Sequence, residues 1–253
     1  CDFKVIGRGA KSAINFEQKT SKQVFKGGIK KALKYFDPPE NIIIAVGADQ
    51  LFNILNFLLN QKNIKNILVE KPGSLYLNEI LKAKEIALLN KKKVWIAYNR
   101  RFYSSVIKLR ELITKDGGIK SVNFEFTEWG FVIEKLHKSA EIKDRWFLAN
   151  STHVVDLVFS LIGLPKEDSF STYSCGKLDW HSSGERFFGS GISTKNIIFA
   201  YQADWSSAGR ASFAAAHCRC PRPWSSADQP CHPALVTAPA GGSGGLPHGL
   251  AYR

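Results

Sequence analysis

The sequence predicts an α/β protein, in which a truncated, doubly wound parallel sheet is followed by an incomplete α+β region with a mainly antiparallel sheet. Two observations support this prediction. Short apolar runs alternate with helical patterns up to about residue 117, which is typical of parallel strands joined by helices. Beyond that point, apolar and polar residues alternate one by one at residues 122–127, which indicates a strand with one solvated face.

Residues 67–74 form the centre of the predicted parallel sheet. They begin as a buried apolar strand and end at Glu70 and Lys71, after which Pro72-Gly73 turns the chain. Because ligands bind beyond the carboxyl ends of strands in open α/β sheets, Glu70 and Lys71 are candidate functional residues. The alternative interpretation is a solvated strand end without a function.

The first predicted strand, residues 2–6, ends at Gly7-Arg8-Gly9. Gly7-x-Gly9-x-x-Ser12 lacks the third glycine of a dinucleotide fingerprint. Only about 35 residues separate Gly7 from the next strong strand, which is too few for a full β-α-β-α passage. We therefore expect residues 2–6 to be the second strand of a nucleotide-binding domain whose first strand and glycine loop were lost upstream. An arginine at this strand end accommodates a 2′-phosphate, so Arg8, with Ser12 close by, favours NADP over NAD.

Strand and helix patterns continue through the first region. Residues 41–46 are predicted to be a buried strand, and Gly47 after it lets a ligand approach the backbone. Leu51, Leu55 and Leu58 repeat at helical spacing and should cover one face of the sheet. A further strand at residues 94–97 delivers three polar residues to the same edge, namely Asn99, Arg100 and Arg101.

The second region, residues 118–210, is predicted to be α+β. We expect residues 122–126 to form an antiparallel strand, and further strands to follow at 186–189 and 196–202. Asn150-Ser151 is predicted to cap a helix that ends at Gly163.

Composition restricts the class of protein. A hydrophobic fraction of 44% and a charged fraction of 23% are those of a globular protein, and five scattered cysteines favour a cytoplasmic setting. The net charge of +13 would suit a nucleic-acid binder, but the lysines are spread over helix faces and loops without interleaved aromatic residues. We therefore expect no nucleic-acid partner. Asn53 and Asn56 interrupt the longest apolar run, so we expect no membrane partner either.

The composition changes after residue 210. Ala211–Arg253 contains no Lys, Ile, Asn or Glu, and we interpret it as a foreign, disordered tail whose removal should leave the stability of the remainder nearly unchanged. Its Cys-x-Cys lacks the usual spacer of zinc sites, so we predict no metal site among His217, Cys218, Cys220, Cys231 and His232. Because the chain contains no Met, we also expect that it does not begin at its natural start.

Five motifs in order resemble the Gfo/Idh/MocA family of sugar and cyclitol oxidoreductases. They lie within residues 2–210 and are Val69-Glu70-Lys71-Pro72, Tyr98-Asn99-Arg100-Arg101-Phe102, Gly118-Ile119-Lys120-Ser121-Val122, Ser151-Thr152-His153-Val154-Val155-Asp156 and Ala203-Asp204-Trp205-Ser206-Ser207-Ala208-Gly209. The resemblance implies a Rossmann-type NAD(P)-binding domain at residues 1–117 that lacks its first strand and glycine loop. It also implies a partial substrate and oligomerisation domain at 118–210, a sugar-like small-molecule substrate, and a homo-oligomer in the full-length protein.

Lys71 and His153 are the predicted catalytic residues. Oxidation of a carbinol needs a base, and a lysine can serve if burial and a positive nicotinamide lower its pKa. The lysine of this motif is the family's proposed acid/base, and Lys71 matches it. If Ser151 caps its helix, His153 is the second helical residue, where the helix dipole favours a neutral ring that can bond a substrate hydroxyl.

The other predicted site residues surround these two. The cofactor-binding set is Arg8, Ser12, Val46, Gly47, Glu70, Lys71, Asn99 and Arg101, and the substrate-binding set is Lys71, Arg100, Asn150 and His153. The chain departs from the family pattern twice. Ala149 stands where many members have an aspartate, with Asn150 as its replacement, and Val46-Gly47-Ala48 stands where the family often has Thr-Pro-Asn.

Three functional classes stay open on the sequence alone. The first is an oxidoreductase that transfers hydride between a nicotinamide cofactor and a hydroxyl or keto carbon of a sugar, nucleotide-sugar or cyclitol. The second is a non-catalytic nucleotide-binding or regulatory relative, against which the intact Lys71 and His153 argue. The third is a basic nucleic-acid-binding protein, for which salt-dependent retention on DNA is the test.

Overall fold

The computed structural model describes residues 3–206. The predictions for Ala211–Arg253, a foreign tail and a cysteine-histidine cluster without metal, lie outside the described residues. Over residues 3–206, no helix is long and apolar enough to cross a membrane. The architecture is α/β, with a parallel Rossmann-type part followed by a mixed sheet.

Five parallel strands form two sheets in the first part of the chain. β1 (Val5–Gly7) pairs with β2 (Val24–Lys26), whereas β3 (Asn41–Ile44), β4 (Asn66–Glu70) and β5 (Lys93–Ala97) form a sheet in the order β3-β4-β5. The carboxyl ends of β3, β4 and β5 therefore meet at one edge, as the sequence predicted.

The passage from β1 to β3 corrects one prediction. It contains α1 (Ala10–Thr20) before β2 and α2 (Ile29–Ala32) after it, although the spacing argument judged the interval too short for a β-α-β-α unit. The unit fits because β2 has only 3 residues and α2 only 4. The assignment of β1 as the second strand of its domain stays a prediction.

The core of the first part lies on one face of the three-stranded sheet. Two helices cover this face, α3 (Leu51–Leu59) and α4 (Leu77–Leu89). The predicted leucine stripe of α3 is buried and packs against Ile67 and Val69 of β4, both 0% exposed. Burying one such side chain stabilises the fold by about 1.5–3 kcal/mol.

The opposite face of the same sheet differs from the prediction. The apolar runs predicted strands buried on both faces, but Ile43, Leu68 and Trp95 lie side by side in register and are 72%, 36% and 50% exposed. A continuous apolar run in the sequence indicates that a strand is hydrophobic, but it does not show which face of the strand is covered by other elements.

Two turns present the candidate site at the carboxyl edge. After β4, Gly73 turns the chain with a φ of 85°, a conformation that favours glycine, and the Lys71–Pro72 bond is cis. After β5, a 3₁₀ turn (Asn99–Phe102) leads into α5 (Ser104–Lys115). Both turns face the second part of the chain.

The third sheet, in the second part of the chain, has four strands in the order β6-β9-β8-β7. These are β6 (Ser121–Glu125), β7 (Pro165–Cys175), β8 (Arg186–Ser193) and β9 (Ile198–Asp204). Two of its pairings are antiparallel, which confirms the mainly antiparallel sheet, but β6 runs parallel to β9. The prediction of an antiparallel strand at residues 122–126 was therefore wrong, because alternation reports a half-buried face and not the direction of the partner.

Helices cover the inner face of this sheet. They are α6 (Gly130–Glu134), α7 (Ala140–Asp144) and α8 (Thr152–Ile162). Of these three helices, the sequence predicted only α8. A π-helical turn (Phe147–Ser151) runs directly into α8. Trp205, 1% exposed, lies at the centre of the aromatic core beneath them.

Candidate functional site

Lys71 joins the two parts of the chain. It directly follows β4 and is half-buried, and its Nζ donates a hydrogen bond to the backbone carbonyl of Ala149 in the π-helical turn. Its own backbone N–H donates to Glu70 Oε2 at 3.2 Å. The carboxyl edge of the parallel sheet is thereby held against the start of α8.

The surroundings of Lys71 favour loss of its proton. Burial lowers the pKa of Lys71 below that of an ordinary lysine, and the positive charge of Arg100 lowers it further. The negative charges of Glu70 and Glu128 act in the opposite direction. Burial is the largest of these effects, so Lys71 releases its proton more readily than a surface lysine.

His153 is the second residue of α8, as predicted, and lies near Lys71. Its Nδ1 is buried and has no hydrogen-bond partner in the described structure, and its ring meets Tyr98 edge-on at 6.2 Å between centroids. Burial, followed by the charges of Lys71 and Arg100, lowers the pKa of His153 to about 4. The imidazole is therefore neutral at pH 7.

The cause of this neutrality differs from the predicted one. Ser151 precedes α8 but makes no side-chain capping bond, because the π-helical turn continues into the helix. Burial, and not a free helix terminus, is the main reason why the ring of His153 stays neutral.

We expect His153 to make the protein sensitive to acid. Between its unfolded pKa of 6.5 and its folded pKa of about 4, the unfolded chain binds a proton that the folded chain does not. The free energy of unfolding should therefore fall as the pH falls through this window. Denaturant unfolding at a series of pH values should show a weaker dependence for His153→Gln. His137→Gln, at an exposed position, is the control, and an equal effect of both changes would contradict the prediction.

Two adjacent arginines have different surroundings. Arg101 donates from Nε to Asp156 Oδ2 at 2.7 Å and from Nη2 to Oδ1, so it is committed to α8. Arg100 is half-buried, and within residues 3–206 its side chain has neither an ion pair nor a hydrogen-bond partner. Its charge lowers the pKa of both Lys71 and His153. Asn99 is exposed at the same turn.

Glu128 is a site residue that the sequence analysis missed. It accepts hydrogen bonds from Trp146 Nε1 at 3.0 Å and Asn150 Nδ2 at 2.9 Å, both on Oε2, and from Ser151 Oγ at 2.8 Å on Oε1. The amide nitrogen of Asn150, a predicted substrate ligand, is therefore already engaged. No periodicity marks the loop after β6, so this glutamate could not be selected from the sequence.

The predicted cofactor residues at the start of the chain lie at the ends of β1 and β3. Arg8 Nη1 donates to Gln50 Oε1 at 3.2 Å, which links the end of β1 to the turn that follows Gly47. Val46 is 37% exposed beside this turn. Ser12 Oγ donates to the carbonyl of Gly9 at 3.1 Å in the first turn of α1. Gln50 is a second residue that the sequence did not indicate.

Solved structures share this fold. The chain is similar to the WlbA dehydrogenase from Bordetella pertussis in complex with NADH and UDP-GlcNAcA, with a TM-score of 0.64 and 10% identity over 82% of this chain and 63% of that one. The WlbA dehydrogenase from Chromobacterium violaceum, in complex with the same two ligands, has a TM-score of 0.60 and 14% identity over 80% and 59%.

A proposed NADPH-dependent oxidoreductase from Desulfitobacterium hafniense has a TM-score of 0.64 and 16% identity over 81% of this chain and 60% of that one. No protein-family model and no curated protein sequence matches the chain. At these identities the likeness shows the fold, and the chain spans 56% to 60% of the first three solved structures it matches.

Proposed function

We propose that this protein is an NAD(P)-dependent oxidoreductase of the Gfo/Idh/MocA type. It would transfer hydride between a nicotinamide cofactor and a hydroxyl or keto carbon of a sugar, nucleotide-sugar or cyclitol, in the cytoplasm. The observation that carries the proposal is the meeting of Lys71 and His153 at the carboxyl edge of the sheet, each with a lowered pKa. The folds of the WlbA dehydrogenases support it.

The residues at the edge fit a nicotinamide dinucleotide. A dinucleotide carries phosphate charges, and Arg8 is a cation without a carboxylate partner in the described part of the chain. Glu70, Asn99 and the exposed turn around Val46 and Gly47 would complete its contacts. The cofactor, when bound, supplies the hydride chemistry.

The chain's own residues would handle the proton. In the oxidation direction, the deprotonated form of the Lys71 amine, which burial favours, takes the proton of the substrate hydroxyl, and in the reduction direction the amine returns that proton. The neutral ring of His153 bonds the same oxygen and keeps it oriented. Partial burial of both groups favours their neutral forms.

Arg100 is the arginine that we assign to the substrate. Arg101 is held by Asp156, whereas Arg100 is unpaired among the described residues and acts electrostatically on both Lys71 and His153. A polar or anionic group of the substrate would satisfy it. The amide nitrogen of Asn150 already bonds Glu128, so its Oδ1 atom would offer the substrate a hydrogen-bond acceptor.

The outer face of the four-stranded sheet supports a homo-oligomer. Tyr173, Phe188 and Ile198 lie on the strand face that points away from the helices and are 64%, 52% and 62% exposed. Exposed apolar side chains that share one face are typical of association surfaces.

We expect NADP⁺ to bind more tightly than NAD⁺. Arg8 ends β1, and no acidic residue lies between Gly7 and Ser12 to select a ribose diol. Arg8→Gln should reduce the preference by about tenfold or more, because a charged hydrogen bond is lost. Lys19→Gln, in the last turn of α1, is the control for charge alone. Equal or tighter binding of NAD⁺ in a fluorescence titration would contradict the prediction.

The absorbance of the reduced nicotinamide tests the proposed activity across a panel of sugars, nucleotide-sugars and cyclitols. Turnover of one class, lost in Lys71→Ala, supports the oxidoreductase. Cofactor binding without turnover of any of them would instead support a non-catalytic relative.

A further inference from the structure

Glu128 is a half-buried carboxylate that the proposed proton transfer does not use. Three side chains of the segment 146–151 donate hydrogen bonds to this carboxylate. Trp146 and Asn150 donate to Oε2, and Ser151 donates to Oε1. Trp146 is 8% and Ser151 2% exposed, so these bonds lie inside the protein. Hydrogen bonds to a charged acceptor are the stronger kind, and three of them fix both ends of the segment.

The segment that Glu128 fixes carries the site. Ala149, within it, provides the carbonyl that accepts a hydrogen bond from Lys71 Nζ. His153 lies two residues beyond Ser151, in the first turn of α8. The segment is also a π-helical turn, a geometry that is rare and less regular than an α-helix, so it needs external contacts to hold its shape.

We propose that Glu128 is the positioning residue of the proton-transfer site. It holds the π-helical turn so that the Ala149 carbonyl stays on Lys71 Nζ and His153 stays beside it. The expected effect of Glu128 on turnover rests on the proposed function, whereas its expected effect on the pKa of Lys71 does not.

The charge of Glu128 has a second consequence. Burial is the largest effect on the pKa of Lys71 and lowers it. Among the charged groups, Glu70 and Glu128 raise this pKa, whereas Arg100 and Lys138 lower it. Removing the charge should therefore lower the pKa of Lys71 further.

Two variants separate position from charge. Glu128→Gln keeps the shape: its amide oxygen can accept from Trp146 and Asn150, and its amide N–H can donate to Ser151, since a hydroxyl also accepts. Glu128→Ala removes all three bonds. Glu134→Gln makes the same chemical change at an exposed position of α6 and is the matched control.

The reactivity of Lys71 is measured first, because it needs neither cofactor nor substrate. Trace acetylation with acetic anhydride over a range of pH, quantified by mass spectrometry of the Lys71 peptide, gives the pKa of its amine. We expect a lower pKa for Glu128→Gln than for the wild type and no change for Glu134→Gln.

Turnover is measured next. Glu128→Gln should keep kcat within a few-fold, with the acid limb of its pH profile moved to lower pH in step with the Lys71 pKa. Glu128→Ala should lose about 10- to 100-fold in kcat, the usual cost of removing a residue that orients catalytic groups.

A Lys71 titration that is unchanged in both Glu128→Gln and Glu128→Ala would overturn the proposal, and so would a Glu128→Ala variant with wild-type kcat. A loss in Glu128→Ala that Glu128→Gln fails to rescue would also overturn it. If Lys71→Ala retains turnover, the proposed function fails, but the Lys71 titration still decides whether Glu128 acts on that amine.

Discussion

Replacing Lys71 with alanine is expected to reduce turnover by about 10²–10⁴-fold, the range for loss of a proton-transfer group. The change removes the amine that burial prepares for deprotonation and its bond to the Ala149 carbonyl. Cofactor affinity should change far less, because most of the residues proposed to contact the dinucleotide lie elsewhere along the edge. Steady-state kinetics and a cofactor titration measure the two effects separately.

Lys92 provides a matched control for this substitution. Burial also lowers the pKa of Lys92, and its Nζ also bonds backbone carbonyls, those of Leu58 and Gln61. It precedes β5 and therefore lies at the amino ends of the strands. Lys92→Ala should leave turnover within a few-fold of wild type. The same modest effect for Lys71→Ala would show that Lys71 does not transfer the proton.

Replacing Trp205 with alanine is expected to lower the free energy of unfolding by about 3–5 kcal/mol, the cost of a large cavity in a core. Its ring lies 4.6 Å from that of Phe187 and 5.0 Å from that of His181, between centroids. Its Nε1 donates to the carbonyl of Phe126 at 3.4 Å. Denaturant unfolding measures the loss.

Trp129→Ala is the control for the loss of an indole. Trp129 is 66% exposed, so its removal should change the free energy of unfolding by about 0.5 kcal/mol or less. Similar losses for the two variants would mean that Trp205 is not the centre of the second core.

The sequence predicted those parts of the fold in which local periodicity reports burial. The leucines of α3 repeat at helical spacing and are buried as expected. β2 escaped detection because its 3 residues cannot show an alternation. The direction of β6 could not be predicted, since it depends on pairing with β9, more than 70 residues later.

The site was predictable where chemistry and position coincide in the sequence. Lys71 directly follows a strand and His153 lies in the first turn of a helix, so both could be selected as site residues from the sequence. Arg100 and Arg101 are neighbours of equal charge, and only Asp156, 55 residues beyond Arg101, distinguishes them. Glu128 could not be selected, because its donors lie 18 to 23 residues further along the chain.

We propose that Lys71 is the proton-transfer amine beside a bound nicotinamide. The pH dependence of Lys71 acetylation, with and without saturating NADP⁺, tests it most directly. We expect the pKa of Lys71 to lie below that of an ordinary lysine, and NADP⁺ to lower it further through the positive ring. A Lys71 that titrates as an ordinary lysine and does not respond to NADP⁺ would contradict the proposed role.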